Sequence, residues 1–385
     1  MSTFGIEEEF FLLEQATYRP ATPDPATARS LLAIGAESGG TQQELLACQV
    51  ENATPVCTTG VEADFSLSSY RDELARTAAK LGMIPISCGT LPSIPAGAAR
   101  ISDNERYRRI QAFAPGICDE QYISGLHVHV SIPDAESGIA ALNSLRRWLP
   151  LLAALGSNSP YWRGEDTGFA SWRTIRYRQW SVQGIQPYFE NARDYYKRLA
   201  AILASDVVLD SGHISWAARL SSRYPTVEVR VADAQLKAGD SVLLALIVRA
   251  LVEASRDEAP VGDNLMPETL DLALWQSAKH GLVGPQLDPV SRHRVTARTA
   301  VETLLKHITP ALAANNDTVY VTEGLDRLLR TGTGAERQRR SFAQGGLSQV
   351  ILDARRELTA GSAPDNPTAA PHGTKEYLRP ESPLF

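Results

Sequence analysis

Lysine is scarce in this chain. Of its 38 basic residues six are lysine, so 32 are arginine. Any phosphate or carboxylate bound here is therefore expected to meet planar guanidinium forks rather than ammonium points. Cysteine is rare too, with four residues (48, 57, 88 and 118) and no Cys-x-x-Cys pair. That spacing speaks against a thiolate zinc site and predicts reduced, buried thiols in a cytoplasmic protein. There is no excess of positive charge. The net charge of -6 provides no field favouring nucleic acid or an anionic membrane. The opening MSTFGIEEEFF lacks the basic-then-apolar pattern of a secretory leader. Long apolar runs are missing: the best, Val242 to Val252, is broken by Arg249 and is too short for a bilayer. Nucleotide signatures are missing as well, with no GxxxxGK[ST] loop, no GxGxxG and no kinase-type HRD or DFG.

What is present is an ordinary globular balance, 43% hydrophobic and 21% charged over 385 residues. That excludes collagenous and wholly disordered chains. Strand-like stretches at 6–13, 41–57, 83–87, 122–132, 213–217 and 226–231 alternate with helix-like ones. Glu62 to Leu81 reads as a helix with Gly82 just past its end. Asp103 is expected to cap a helix running to Phe113, and Pro150 to kink one spanning 140–155. Segment 156–190 has no clear period and reads as a long functional loop. Residues 192–204 are helical, and beyond 240 the chain reads as successive helices at 241–255, 268–280, 292–314, 320–330 and 335–359. The order predicts an α+β fold: a mainly antiparallel sheet lining the active site, with helices packed on its other face. Residues 1–360 form one domain, sheet-rich over 1–235 and helical over 236–360, followed by a flexible tail at 361–385. The arginine cluster at Arg337–Arg340 reads as a helix face packed on acids or solvated, not as a nucleic-acid patch.

Three strands break the usual patterning. A half-buried strand alternates apolar and polar, and its polar set normally faces water. In Gly5–Phe10, Glu7 and Glu9 share one face. In Gly125–Val130, His127 and His129 do so, with Leu126, Val128 and Val130 behind. In Thr226–Val231, Glu228 and Arg230 do so, with three valines opposite. Each alone reads as a solvated or structural strand. If the three adjoin in one sheet, a single face gathers Glu7, Glu9, His127, His129, Glu228 and Arg230. Such a set calls for cations, and carboxylates with one imidazole suit Mg²⁺ or Mn²⁺ better than Zn²⁺. Glu51, extended beside Gln49, could complete a second metal position.

These pieces also carry a resemblance. GIEEEF (5–10), QVENATPVC (49–57), DNERY (103–107), GLHVHV (125–130), NSPYWRGEDTGFASWR (158–173) and TVEVRV (226–231) occur in this order. Together they resemble glutamate–cysteine ligase family 2, ATP-dependent carboxylate–amine ligases of the glutamine-synthetase-like superfamily, over about residues 4 to 350. The resemblance implies a glutamine synthetase/guanido kinase-like fold. It implies that ATP phosphorylates a carboxylate, usually the γ-carboxylate of glutamate, and that an amine such as cysteine or another amino acid then displaces phosphate. Carried over by motif, Glu7, His127 and Glu228 hold the metal that bridges the ATP phosphates, and Glu9 and Glu51 hold a second. Arg230, Glu228 and His129 are catalytic, Arg230 meeting the transferred phosphoryl group. His129 lies beside the substrate carboxylate or the phosphates, and Trp162, Arg163 and Arg173 belong to the substrate pocket. Its partners are small molecules, without nucleic acid or membrane, and association into a homo-oligomer is common in the superfamily.

Two stretches depart from the family pattern. Trp216-Ala217-Ala218-Arg219 lacks an acid where many members read Trp-Asp-Val-Arg, and Ala47-Cys48 stands where some carry another Glu. Both put cysteine as acceptor in question. A pseudoenzyme would bind nucleotide without turnover. A zinc hydrolase built on the His-x-His strand would need further ligands, and of the other histidines only His213 opens a candidate strand.

Overall fold

The computed structural model describes residues 1–35, 40–256 and 265–360, so the tail expected from 361 lies outside the described residues. Its centre is a seven-stranded antiparallel sheet: β1 (Phe4–Glu14), β2 (Thr41–Gln43), β3 (Gln49–Ala53), β4 (Met83–Ile86), β5 (Gly125–Ser131), β6 (Ala218–Leu220) and β7 (Thr226–Asp233). The order across the sheet is β6-β7-β5-β1-β3-β2, and β4 pairs with the far end of β1. The three strands with unusual polar sets are therefore contiguous, as β7, β5 and β1. The mixed, mainly antiparallel architecture expected from sequence is the one observed.

Alternation along β1 divides its three glutamates between two environments. Ile6, Glu8 and Phe10 are fully buried on the back, while Glu7 and Glu9 stay partly accessible on the front. On the back, Glu8 accepts two hydrogen bonds from Arg71 of helix Gly60–Lys80, at 2.9 and 2.7 Å. Arg71 also donates to the carbonyls of Leu236 and Gln235, at 2.9 Å each. The guanidinium is thereby satisfied where no water reaches, as a buried charge requires.

Helix Ala238–Ala254 packs on the back of β1 and β5 and is itself covered by helices Gly60–Lys80, Ala135–Leu145, Ala297–Asn315 and Thr318–Thr331. Every residue from Ala238 to Val252 is buried, so this mostly apolar helix is covered all round and serves as the core. Arg249, the residue that interrupts its apolar run, pairs with Asp317 and donates to Thr58 O. No helix among the described residues is long and apolar enough to cross a membrane. The four cysteines are unpaired and buried. Arg337 and Arg339, in the basic cluster of the last helix, pair with Asp240 and Asp166.

Most boundaries fall within a few residues of those expected, and the exceptions have local causes. Thr59 and Glu62 form a reciprocal capping box at the start of helix Gly60–Lys80, and Gly82 follows it at φ +71°. The cap of helix Glu105–Phe113 is Asn104, not Asp103. Asn104 accepts from Arg106 N at 2.9 Å, while Asp103 turns outward to Arg108. Pro150 does not kink one helix. It sits in the first turn of Leu149–Leu155, separate from Ala135–Leu145, where its missing N–H costs nothing. The expected loop 156–190 contains a hairpin (161–162 with 165–166), helix Trp172–Tyr177 and a strand at 183–184 that pairs with 215–216. Six residues are too few to show a helical period.

Candidate active site

The register puts the polar residues directly opposite one another. Glu7 faces His127 across β1 and β5, Glu228 faces His129 across β7 and β5, and Glu9 faces Glu51 across β1 and β3. All six line one cavity of about 1250 Å³ on the front of the sheet. That exceeds the roughly 300–1,000 Å³ of a common small-molecule pocket and leaves room for more than one substrate. Arg230 and Val231 lie in a bulge between Val229 and Ala232 that shifts β7 against β5.

One end of the face is a web of carboxylates, imidazoles and guanidiniums. His127 Nδ1 lies 3.1 Å from Glu7 Oε2, and His129 Nε2 lies 3.2 Å from Glu7 Oε1. Burial pushes the Glu7 carboxyl upward, but its bonds to His127 and His129 outweigh this and hold it far below the usual carboxylate range. Burial, with the Arg230 charge adding, lowers His127 to about 4, so its ring is neutral at pH 7. Glu228 accepts from Arg219 at 2.8 and 3.2 Å and also from Arg230. Burial raises Glu228, but the Arg230 and Arg219 charges overcome this and keep it ionised. Arg230 further reaches His127 Nδ1 at 3.3 Å and Tyr177 Oη at 3.2 Å.

The other end holds three acids close together. Glu9, Glu44 and Glu51 bring one oxygen each within 4.8 Å of one another. Burial, then the Glu44 charge, raises Glu9 to about 8. Burial also lifts Glu51 well above its ordinary value, with Glu7, Glu44 and Glu9 adding to it, and burial lifts Glu44. Acids so placed favour either protons or a cation. Two further triads meet the same 4.8 Å limit: Glu7, His129 and Glu228, and Glu7, Glu51 and His127. The buried Nε2 atoms of His127 and His129 face carboxylates, 3.6 Å from Glu9 Oε1 and 3.2 Å from Glu7 Oε1. Carboxylate-rich donor sets with an imidazole nitrogen among them fit a hard divalent ion.

Glu44 is the residue that sequence reasoning missed. It follows β2 without periodic context, and the acid sought at Ala47 is absent there. Cys48 instead packs in an apolar cluster with Phe11 and Ile86. Ala217, at the other departure, is buried in the main core, and its carbonyl accepts from Arg230 N at 2.8 Å.

The three expected pocket residues separate. Arg173 lines the cavity, 3% exposed, with Nη2 3.2 Å from Arg230 O. Trp162 and Arg163 are not among its lining residues. Trp162 is buried in the apolar cluster under the Arg176 guanidinium, and Arg163 points to solvent and pairs with Glu120. The cause is the hairpin Tyr161–Asp166, whose turn at Arg163–Gly164 takes positive φ and carries the segment outward.

A front face of acids, imidazoles and arginines lies over an antiparallel sheet with helices behind, and the chain's family and relatives make this an enzyme of the carboxylate–amine ligase class. The chain belongs to glutamate–cysteine ligase family 2, whose profile matches residues 3–354. A Saccharopolyspora erythraea protein with the provisional name glutamate–cysteine ligase 2-1 is 40% identical over 88% of this chain and 90% of its own length. Among solved structures, a glutamate–cysteine ligase from Francisella tularensis in complex with AMP superposes with a TM-score of 0.66 at 14% identity, covering 93% of this chain and 88% of that one. A bifunctional glutathione synthetase from Pasteurella multocida gives 0.68 at 16% identity, over 93% of this chain and 52% of that one. At those identities the two structures speak for the fold.

Proposed function

We propose that the enzyme joins the γ-carboxylate of glutamate to an amine, cysteine or another amino acid, at the expense of ATP. A carboxylate oxygen attacks the γ-phosphorus of ATP and ADP leaves. The amine nitrogen then attacks the acyl carbon, phosphate leaves, and the nitrogen gives up a proton to complete the amide. The observation that carries this reading is the single front face on which Glu7, His127, His129, Glu228 and Arg230 meet the acid triad in one cavity.

Divalent metal, Mg²⁺ or Mn²⁺, is the expected cofactor. Glu7, His129 and Glu228 would hold one ion, where the resemblance put His127 in place of His129, and Glu9, Glu44 and Glu51 a second. Bound there, the metal would neutralise polyphosphate charge, which is most of what phosphoryl transfer requires. Arg230 supplies a fixed cation for the transferred group, its fork oriented by Glu228, His127 and Tyr177. A donor already in place costs no reorganisation during reaction. Arg173, buried and bonded to a backbone carbonyl, offers a guanidinium to the acid substrate. Small molecules are its expected partners.

Transfer of an oxygen atom tests the reading. Glutamate labelled with ¹⁸O in its γ-carboxylate should pass one label to the released phosphate. Unlabelled phosphate alongside a formed amide would exclude the acyl phosphate.

A further inference from the structure

We propose that Tyr177 is a positioning residue that sets the spacing between Arg230 and Arg173, the two guanidiniums assigned above to the phosphoryl group and the acid. The inference rests on that assignment. Tyr177 touches both: its hydroxyl accepts from Arg230 Nη2 at 3.2 Å, and the Arg173 guanidinium carbon lies 5.1 Å from its ring centroid. It lines the same cavity.

The hydroxyl matters because of how the Arg230 fork is shared. Nη1 serves both Glu228 and His127 Nδ1, and Nε has no hydrogen-bond partner. Tyr177 is thus the partner that fixes Nη2 and the tilt of the guanidinium plane. Without it the planar fork, whose value lies in its geometry, pivots about one edge.

Tyr177 can impose a position because its own helix is fastened to the strand that carries Arg230. Asp233 ends β7, 1% exposed, and accepts from Ser171 Oγ at 2.8 Å, Ser159 Oγ at 2.7 Å and Asn158 N at 2.8 Å. Ser171 is in turn the N-cap of helix Trp172–Tyr177, accepting from Thr174 N at 3.2 Å. A closed ring results: Arg230 to Asp233 along the strand, Asp233 to Ser171, Ser171 to Tyr177 along the helix, and Tyr177 back to Arg230. Such a ring limits how far Tyr177 and Arg230 can move apart, and productive geometry must be held to within about 0.5 Å.

The test is a double-mutant cycle on the full chain, with kcat and KM measured for ATP and for the acid. Tyr177→Phe keeps the ring beneath Arg173 and removes the bond to Arg230. Turnover should fall roughly 10- to 100-fold, the effect of one hydrogen bond to a charged group, with KM for the acid and the melting temperature little changed. Tyr177→Leu, which also removes the ring, should in addition raise KM for the acid. Combined with Arg230→Lys, Tyr177→Phe should add almost nothing, because one effect acts through the other. Additive losses would overturn the proposal, as would a Tyr177→Phe enzyme with normal kcat. If Arg230→Lys itself leaves turnover unchanged, the assignment of Arg230 fails and this inference fails with it. Sensitivity to Arg230→Lys together with indifference to Tyr177→Phe sinks this inference alone.

Discussion

Glu7, Glu8 and Glu9 are adjacent and chemically identical, yet replacing Glu8 and Glu9 by Gln should change stability in opposite directions. Glu8 and Arg71 have no exposed side-chain surface. Glu8→Gln preserves shape but leaves a buried guanidinium facing a neutral amide. Breaking one partner of such a pair costs about 3–5 kcal/mol, out of a total stability of roughly 5–15 kcal/mol. The melting temperature should fall by about 4–7 °C for a domain of this size. Glu9 behaves otherwise, because burial and the Glu44 charge hold its carboxyl at about 8. A carboxyl raised on folding contributes stability below its unfolded pKa near 4.5 and loses it as pH climbs through about 8. Glutamine has no proton to lose. Metal-free Glu9→Gln should therefore melt at or above the parent at pH 8, with the difference vanishing near pH 4, while turnover with Mg²⁺ is lost. Differential scanning fluorimetry in EDTA across this range, with an ADP-release assay in Mg²⁺, reads both quantities. An unchanged melting temperature for Glu8→Gln would refute the reasoning, as would a Glu9→Gln protein that melts well below the parent at pH 8.

Other outcomes follow from the same geometry. A Cβ on Gly125 would stand 2.4 Å from Arg173 Nη2 and 3.0 Å from His127 Nε2. Gly125→Ala should leave a folded protein, since side-chain ends can move, with KM for the acid raised about tenfold or more because a misplaced donor is a lost contact; steady-state kinetics would show it. EDTA should abolish ADP release and Mg²⁺ restore it, while excess Zn²⁺ should inhibit. Activation by Zn²⁺ would point back to a hydrolase.

Much of this site was legible because β-structure has a period of two. Glu7 with Glu9, His127 with His129, and Glu228 with Arg230 each occupy alternate positions backed by buried apolar residues, and strand contiguity then brings them to one face. Register was not legible. That Glu228 stands opposite His129, and Glu9 opposite Glu51, depends on pairings between strands distant in sequence. Glu44 escaped for a related reason: it is held by the fold of the 41–53 hairpin, not by any periodic pattern. Trp162 and Arg163 were assigned to the pocket by the resemblance of the 158–173 segment, and the turn at Arg163–Gly164 carries them away from the cavity lining. Tyr177 lies on a helix too short to announce itself.

The central claim is that one face of the sheet activates a carboxylate with ATP and passes it to an amine. ADP release by the purified protein with ATP, Mg²⁺ and L-glutamate, measured with and without a pooled set of amino acids and amines, tests it most directly. The account predicts ADP formation that requires both glutamate and one member of the pool, with mass spectrometry showing the corresponding amide. Folded protein that binds ATP yet releases no ADP with any acid and amine would contradict it.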